Sequence, residues 1–263
     1  MLRFILRYPL DVIKHIPQAI KWSTLKGPEK YIYMQKVWYE KEAKKSKYDQ
    51  KIKRDFVVGT YEIQNEYKDY DDYIMKYVDE SYKNKIALDF ACGPGRNIVK
   101  YQKLFKRIDG ADISSYNLRN AKQNLSFEGV SIPNFYVTNG NDLGDAPSNY
   151  YDFIFSTIAL QHIPVYEIRF SIFEHMYRAL KIGGRISIQM GAGVSKSPTD
   201  RGYYDNYYEA TGTNRHRDTM VEEPEFLKKD LEKIGFKQFE CWLRPPFPGE
   251  ASHPNWIFFT AVK

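Results

Sequence analysis

Four ionisable residues stand at or just past the ends of apolar runs in this chain: Asp89, Asp112, Asp142 and His162. The first lies inside Ile86-Ala-Leu-Asp-Phe90. That run meets a small-residue turn, Ala91-Cys92-Gly93-Pro94-Gly95, and then a helical pattern with Ile98, Val99, Leu104 and Phe105 on one face. Small residues let a backbone approach a ligand, and the start of a helix offers N–H groups with no intrahelical partner. The chemistry implied is nucleotide-type binding. Asp112 follows Asp89 by 112 − 89 = 23 residues, close to the separation of about 20 expected of a carboxylate that accepts two ribose hydroxyls. A dinucleotide turn reads G-x-G-x-x-G and seats a pyrophosphate on the helix N-terminus. Here Arg96 and Asn97 stand where the third glycine should fall, and Asp89 would repel a pyrophosphate. The same carboxylate suits a cationic end such as the ammonium of an amino acid. A nucleoside with an amino-acid tail fits both ends.

These residues need an open sheet to hold them, because ligands of such sheets bind beyond the carboxyl ends of the strands. Strand–helix alternation from Lys85 onward supplies it. Further strands are read at Arg107–Ile113, Phe135–Thr138, Tyr151–Ile158 and Arg185–Met190. Helices follow Ser114, run from Glu167 to Leu180, and open at Pro224. Two strands near 236–243 and 256–262 end the chain as an antiparallel pair at the sheet edge. The fold class is α/β: a Rossmann-like, doubly wound, mostly parallel seven-stranded sheet with an antiparallel edge strand and an N-terminal helical extension. The division is 1–83 for the extension, read as a helical lid, and 84–263 for the main domain. Within it, residues 191–221 form a long irregular insertion over the substrate. In the extension, Tyr31, Met34 and Trp38 mark one helix, Glu62–Tyr82 another, and Phe56–Tyr61 a loop between them.

The chain has 263 residues, a formal charge of +6 and 22 tyrosines. The positive charge is dispersed, so the run Lys41 to Arg54 reads as a solvated helix face rather than a nucleic-acid patch. The two cysteines, Cys92 and Cys241, are too distant for a metal motif. No metal is expected, and a reducing, cytoplasmic compartment is. No stretch reaches the roughly 20 apolar residues that span a bilayer. Residues 1–21 read as a helix packed on the main domain, with weak contact to the inner face of a membrane as the second reading.

Leu88-Asp-Phe-Ala-Cys-Gly-Pro-Gly-Arg96 resembles the first motif of class I S-adenosylmethionine-dependent methyltransferases. Gly110–Ser114, Asn141–Leu143, Tyr151–Phe155, Leu160–Pro164 and Leu180–Gly184 resemble its later motifs, in order. The likeness covers roughly residues 84–263 and implies S-adenosyl-L-methionine as cofactor. It implies that Ala91, Gly93, Gly95 and Arg96 border the methionine and ribose, and that Asp89 orients the amino group. It implies further that Asp112 and Ile113 meet the ribose, Asn141, Asp142 and Leu143 the adenine, and Ala159 and Leu160 the floor beneath the sulfonium. Ala91 departs from the family, which has glycine there, and is expected to be tolerated at negative φ.

Methyl transfer to oxygen or nitrogen also removes a proton. His162, just past the fourth strand, and His216 are the candidate bases. Tyr203, Tyr204, Tyr207, Tyr208 and Arg215 are the candidate substrate contacts, with Arg201, Arg217 and Arg244 as further guanidinium groups. Together they favour a small, anionic acceptor such as a sugar or metabolite. Ser156-Thr157-Ile158-Ala159 is unlike the Asn/Asp-Pro-Pro-aromatic motif of the family's amino-methylating nucleic-acid enzymes, which weighs against nucleic acid. Three alternatives stand beside this reading: a tRNA or protein acceptor, an inactive S-adenosylmethionine-binding protein, and an NAD-dependent oxidoreductase.

Overall fold

The computed structural model describes residues 24–45, 48–49, 54–55, 69–194, 199–209, 218–248 and 253–263. The expected contact of residues 1–21 with a surface, the loop at Phe56–Tyr61, and the candidates His216, Arg215 and Arg217 lie outside the described residues.

The alternation that starts at Ile86 folds as one sheet. Its strands are β1 (Ile86–Phe90), β2 (Arg107–Asp112), β3 (Phe135–Val137), β4 (Tyr151–Ser156), β5 (Leu180–Ala192), β6 (Met220–Val221), β7 (Lys237–Arg244) and β8 (Asn255–Val262). The order across the sheet is β3-β2-β1-β4-β5-β8-β7, with β6 paired in parallel to the end of β5. The strands from β3 to β5 are parallel, and β8 is antiparallel to both of its neighbours. The antiparallel pair therefore closes the sheet, but the reversed strand lies one place in from the edge. Burial explains the arrangement: Trp256 to Ala261 of β8 are all buried, whereas β7 carries exposed Lys237, Gln238 and Glu240. The apolar strand takes the covered position and the charged one guards the edge.

Among the described residues, five helices longer than a single turn flank the sheet: α1 (Gly27–Lys45), α2 (Arg96–Tyr101), α3 (Ser115–Phe127), α4 (Tyr166–Ala179) and α5 (Pro224–Ile234). Alternate residues of each strand feed two cores. Leu88, Ile154, Ile186 and Ile188 pack with Ile172 and Phe173 of α4 and Leu227 and Leu231 of α5. Ala87, Phe153, Phe155 and Phe258 pack on the other face with Ile98, Leu118, Tyr70 and Ile74. Helix ends follow the sequence signals. Ser114 accepts a hydrogen bond from the Asn117 N–H at 3.1 Å, Pro224 opens α5, and Gly235 closes it at φ 117°.

The stretch before the sheet differs from expectation. Instead of continuing one helix from Glu62, the described part holds a single helical turn, Tyr70–Tyr73, and a 3₁₀ turn, Glu80–Asn84. Asp79 between them is extended and accepts the Ser81 N–H, a local bond that competes with helix continuation. Tyr70 is fully buried and donates to Gln189 Oε1 at 2.5 Å.

The irregular segment after β5 is held by Arg169 of α4. Its wholly buried guanidinium donates to the carbonyls of Ile163 and Tyr203 and to Thr219 Oγ1. Burial brings its pKa down to about 10, so it stays charged at neutral pH. Replacing it with methionine, Arg169→Met, leaves the buried Tyr203 carbonyl and Thr219 Oγ1 without that donor, and leaves the Ile163 carbonyl only the Thr219 hydroxyl at 3.3 Å. The expected loss is about 3 kcal/mol or more of unfolding free energy in urea, with earlier proteolysis in residues 199–221. Arg169→Lys should restore little, since one ammonium lacks the planar fork that spans three acceptors.

Candidate functional site

The pocket opens where β1, β2 and β4 end, as an open parallel sheet requires. From β1 and its turn come Phe90, Ala91 and Gly93. From β2 and its neighbours come Asp112, Ile113, Asn117, Thr138 and Gly140. Ile158, Ala159 and Ile163 follow β4, and Tyr31, Ile32, Gln35 and Tyr39 close the top from α1. The space is about 780 Å³ including its open mouth.

Asp112 organises one side of the pocket. Its Oδ2 accepts the Gly93 N–H at 2.9 Å, and its Oδ1 accepts Ser114 N–H at 2.8 Å and Asn117 Nδ2 at 3.2 Å. Burial raises its pKa against the pull of those three bonds. A carboxylate has about four acceptor positions, which leaves capacity toward the pocket it lines. A Cβ added at Gly93 would meet nothing within 4 Å, so the backbone there faces open space.

Ala91 corrects an expectation. Its φ is 59°, in the left-handed region that favours glycine, not the negative value expected for a tolerated alanine. Asp89 lies behind this turn rather than on the pocket wall. It is completely buried, its Oδ1 accepts Asn97 Nδ2 at 3.3 Å, and its Oδ2 has no partner among the described residues. Burial pushes its pKa up to about 8, although the Asn97 bond pulls the other way.

The residues expected at the adenine end are differently engaged. Asp142 accepts the N–H groups of Asn139 and Gly144 at 2.8 and 2.9 Å and Asn139 Nδ2 at 2.6 Å, so its carboxylate closes its own turn. The Asn141 carbonyl accepts from Ser171 Oγ, and Leu143 is wholly buried in the core. Gly95 caps α2 at φ 90°, Arg96 is the first residue of that helix, and Leu160 is buried. Of the candidate cofactor residues, Ala91, Gly93, Asp112, Ile113 and Ala159 line the pocket.

The α1 residues are the largest addition to what the sequence suggested. Tyr31, Gln35 and Tyr39 recur at a spacing of four, which puts them on one helix face. Ile32 presses on Gly140, where an added Cβ would lie 2.7 Å from its methyl. Glu40 accepts the Ser115 N–H at 2.8 Å and its hydroxyl at 2.9 Å, and Asn120 Nδ2 donates to the Ala43 carbonyl at 2.9 Å. Tyr31 donates its hydroxyl to the His162 carbonyl at 3.0 Å. Burial raises the pKa of both tyrosines, so each hydroxyl is a donor at neutral pH.

His162 stands in a 3₁₀ turn, Leu160–His162, close in sequence to the lining residues Ala159 and Ile163. Its Nδ1 lies 2.7 Å from Asp218 Oδ1, and His253 Nε2 lies 3.1 Å from Asp218 Oδ2. Burial alone would raise the Asp218 pKa. The bonds from His162 and His253 outweigh it and hold the carboxyl well below its ordinary range. His175 is structural: its Nδ1 bonds the Ser171 carbonyl within α4.

The candidate tyrosines do not line the pocket. Tyr203 is buried and donates to Asp230 Oδ2 at 3.0 Å, which also accepts Tyr166 at 3.2 Å on Oδ1. Tyr204 packs on Tyr166 and Phe226, Tyr208 donates to Glu167, and Tyr207 lies under the Arg201 guanidinium at 4.5 Å. They fasten the 199–209 segment to α4 and α5. Arg244 pairs with Asp69 at 2.5 Å, outside the pocket lining. Among the described residues no group of three or more His, Cys, Asp or Glu could hold a metal, and no helix is long and apolar enough to cross a membrane.

Residues 88–188 match the family model described as a methyltransferase domain. No curated protein matches the chain. Among solved structures, the chain resembles phosphoethanolamine N-methyltransferase 2 of Haemonchus contortus, solved with phosphomonomethylethanolamine and S-adenosylhomocysteine. The identity is 19% and the TM-score 0.54, over 72% of this chain and 51% of that one, so the chain spans about half of that relative's length. It also resembles an S-adenosylmethionine-dependent methyltransferase of Methanosarcina mazei, at 18% identity and TM-score 0.52 over 72% and 96% of the two chains. One from Aquifex aeolicus matches at 14% identity and TM-score 0.51 over 85% and 97%. These likenesses show a Rossmann-like methyltransferase fold.

Two expectations follow from the glycine turn. Ala91→Gly should raise the unfolding free energy by about 1 kcal/mol, since glycine carries no penalty at φ 59°; urea denaturation measures it. Asp89 binds its proton more tightly folded than unfolded, so stability of the ligand-free chain falls as pH rises from about 4 to about 8. Asp89→Asn should flatten that slope in melting temperatures recorded across the range. A slope unchanged in the variant would remove Asp89 as its origin.

Proposed function

We propose that this chain, which carries a class I S-adenosylmethionine-dependent methyltransferase domain, moves a methyl group from S-adenosylmethionine to an oxygen or nitrogen of a small acceptor. One observation carries the reading: a buried, hydrogen-bonded carboxylate and a glycine turn share one roofed pocket with Ala159 and Ile163. The residues present fit the donor. Asp112 would hold the ribose hydroxyls, and the open backbone at Gly93 would border the methionine portion. When bound, the sulfonium supplies an already activated methyl group.

The chain's own residues then have two tasks. The first is alignment, which in a closed site supplies much of the acceleration of a displacement. Tyr31, Ile32, Gln35 and Tyr39 roof the pocket and limit it to a small acceptor. The second is proton removal. An imidazole suits that work near neutral pH, and His162 is our assignment for the base.

Within this class an amine is the favoured acceptor. Among the described residues no lysine or arginine lines the pocket, whereas Tyr31, Tyr39 and Phe90 bring aromatic rings to it. Such walls favour a cation over an anion. The Haemonchus relative, solved with a phosphorylated amine, supports the same choice. An anionic portion of the acceptor would have to be met by groups beyond this lining.

Isothermal titration tests the donor. S-adenosylmethionine and S-adenosylhomocysteine should bind the wild type, and Asp112→Ala should weaken both by about 10- to 100-fold, the loss of one or two buried charged hydrogen bonds. Methyl transfer to a panel of small amines, phenols and sugars tests the acceptor. Donor binding without turnover on any of them would leave the reading as an enzyme unsupported.

A further inference from the structure

Resting on that reading of the site, we infer that Gln35 and Tyr39 of α1 are donor-binding residues: Gln35 reads the polar edge of the adenine, and Tyr39 completes the hydrogen bonding of the ribose. Both lie outside residues 88–188, the segment that matches the methyltransferase domain, and before every motif that carries the resemblance.

The path of α1 over the pocket is set at both ends. Near its start Ile32 lies against Gly140, where an added Cβ would come 2.7 Å from Ile32 Cγ2 and 3.2 Å from Ile113 Cδ1. Near its end Glu40 accepts the Ser115 N–H at 2.8 Å, and Asn120 Nδ2 donates to the Ala43 carbonyl at 2.9 Å. The turn between these anchors carries Gln35 and Tyr39 on one face, and both line the pocket. It therefore crosses the side where Asp112, Ile113 and Thr138 stand at or just past the ends of β2 and β3. Among the described residues, neither the Gln35 amide nor the Tyr39 hydroxyl has a hydrogen-bond partner. Polar groups that line a pocket without bonds of their own are available to whatever fills it.

The two groups supply what Asp112 cannot. A ribose hydroxyl donates one hydrogen bond and also accepts, whereas an ionised carboxylate only accepts. Asp112 can take the hydrogens of the diol, and the lone pairs then need a donor. Burial and the neighbouring Asp112 charge raise the Tyr39 pKa, so its hydroxyl keeps its proton at neutral pH and can donate. The adenine has apolar faces and an edge that pairs an amino donor with a ring-nitrogen acceptor. Ile32 and Ile113 offer apolar surface to the faces. A carboxamide carries one acceptor beside one donor, the pairing by which a glutamine reads adenine N6 and N7. Hypoxanthine presents an oxygen acceptor where adenine has its amino group, so the same amide discriminates against it.

Isothermal titration with S-adenosylhomocysteine, its 2′-deoxy and 3′-deoxy forms, and S-inosylhomocysteine tests both assignments, with melting temperatures to confirm that each variant is folded. The wild type should bind S-adenosylhomocysteine about 10-fold or more tighter than the inosine analogue. Gln35→Ala should weaken S-adenosylhomocysteine by about 10-fold and bring the two ligands to within about threefold of each other. That change of ratio would not follow from a merely structural role. Tyr39→Phe should weaken S-adenosylhomocysteine by about 3- to 10-fold and leave untouched the affinity for the deoxy form that lacks the hydroxyl it meets. A wild-type ratio kept by Gln35→Ala would overturn the adenine assignment. Equal effects of Tyr39→Phe on all four ligands, or none, would overturn the ribose assignment. A wild type that binds none of them would overturn the methyltransferase reading and this inference with it, whereas binding with unmoved ratios overturns the inference alone.

Discussion

The pocket depends on two neighbouring strands ending in backbone that their residues do not favour. β1 passes into Ala91 at φ 59°, and β4 is followed by Ile158 at φ 51°, a β-branched residue for which that region is a genuine outlier. Such positions cost of order 1–3 kcal/mol each and persist only where the surroundings over-determine them. Here they are tied together. Asn97 of α2 donates to Asp89 of β1 at 3.3 Å and to Thr157 beyond β4 at 3.2 Å, and Ser156 Oγ donates to the Phe90 carbonyl at 2.9 Å. Gly93 and Cys92 are held by Asp112 Oδ2 and the Ala111 carbonyl of β2. The strained turns leave Ala91 on one wall of the pocket and Ile158 on another.

The same anchoring explains why the roof sits where it does. Helix α1 has little apolar stripe of its own, with charged residues around most of its surface. Its placement comes from specific contacts: Glu40 on the first N–H of α3, Ala43 on Asn120, Ile32 on the bare backbone of Gly140, and Tyr31 on the His162 carbonyl. Three of these engage groups on the β2–α3 and β3 side, and the fourth engages the turn after β4. The roof thus reads the positions of both walls at once.

The sheet and the donor side were legible because their signals are local. Apolar runs, a small-residue turn, Ser114 as a cap, and Asp112 at a strand end each act within a few residues of chain. The order of the last two strands was not legible to the same depth, since it depends on which strand is more apolar once both are paired. Asp142 agrees in position with the family pattern, and its oxygens also close the Asn139–Gly144 turn, a local task that the motif alone did not announce. Tyr203 to Tyr208 were prominent by composition, but a tyrosine-rich segment also serves as a fastening, and here Asp230, Glu167 and Phe226 receive it. Asp218 gave no signal, because its partners His162 and His253 are brought to it only by the tertiary fold. The spacing of Tyr31, Gln35 and Tyr39 could have been found as one helix face, had the charged residues between them not dominated the reading.

The regions around the pocket are held in different ways. The turn carrying His162 is gripped from four directions: Tyr31 on the His162 carbonyl, the Thr219 N–H on the Gln161 carbonyl at 2.7 Å, Arg169 on the Ile163 carbonyl, and Asp218 on the imidazole. A side chain held in this way loses little orientational freedom when a ligand arrives. The roof is different. Tyr31 is itself buried in the main core, Ile32 packs against that core, and Ala43 is buried, so the roof is joined to the domain by apolar packing as well as by hydrogen bonds. A ligand has to pass between these two regions. Tyr31 joins the two, since its ring belongs to the core beneath the roof and its hydroxyl donates to the His162 carbonyl of the wall.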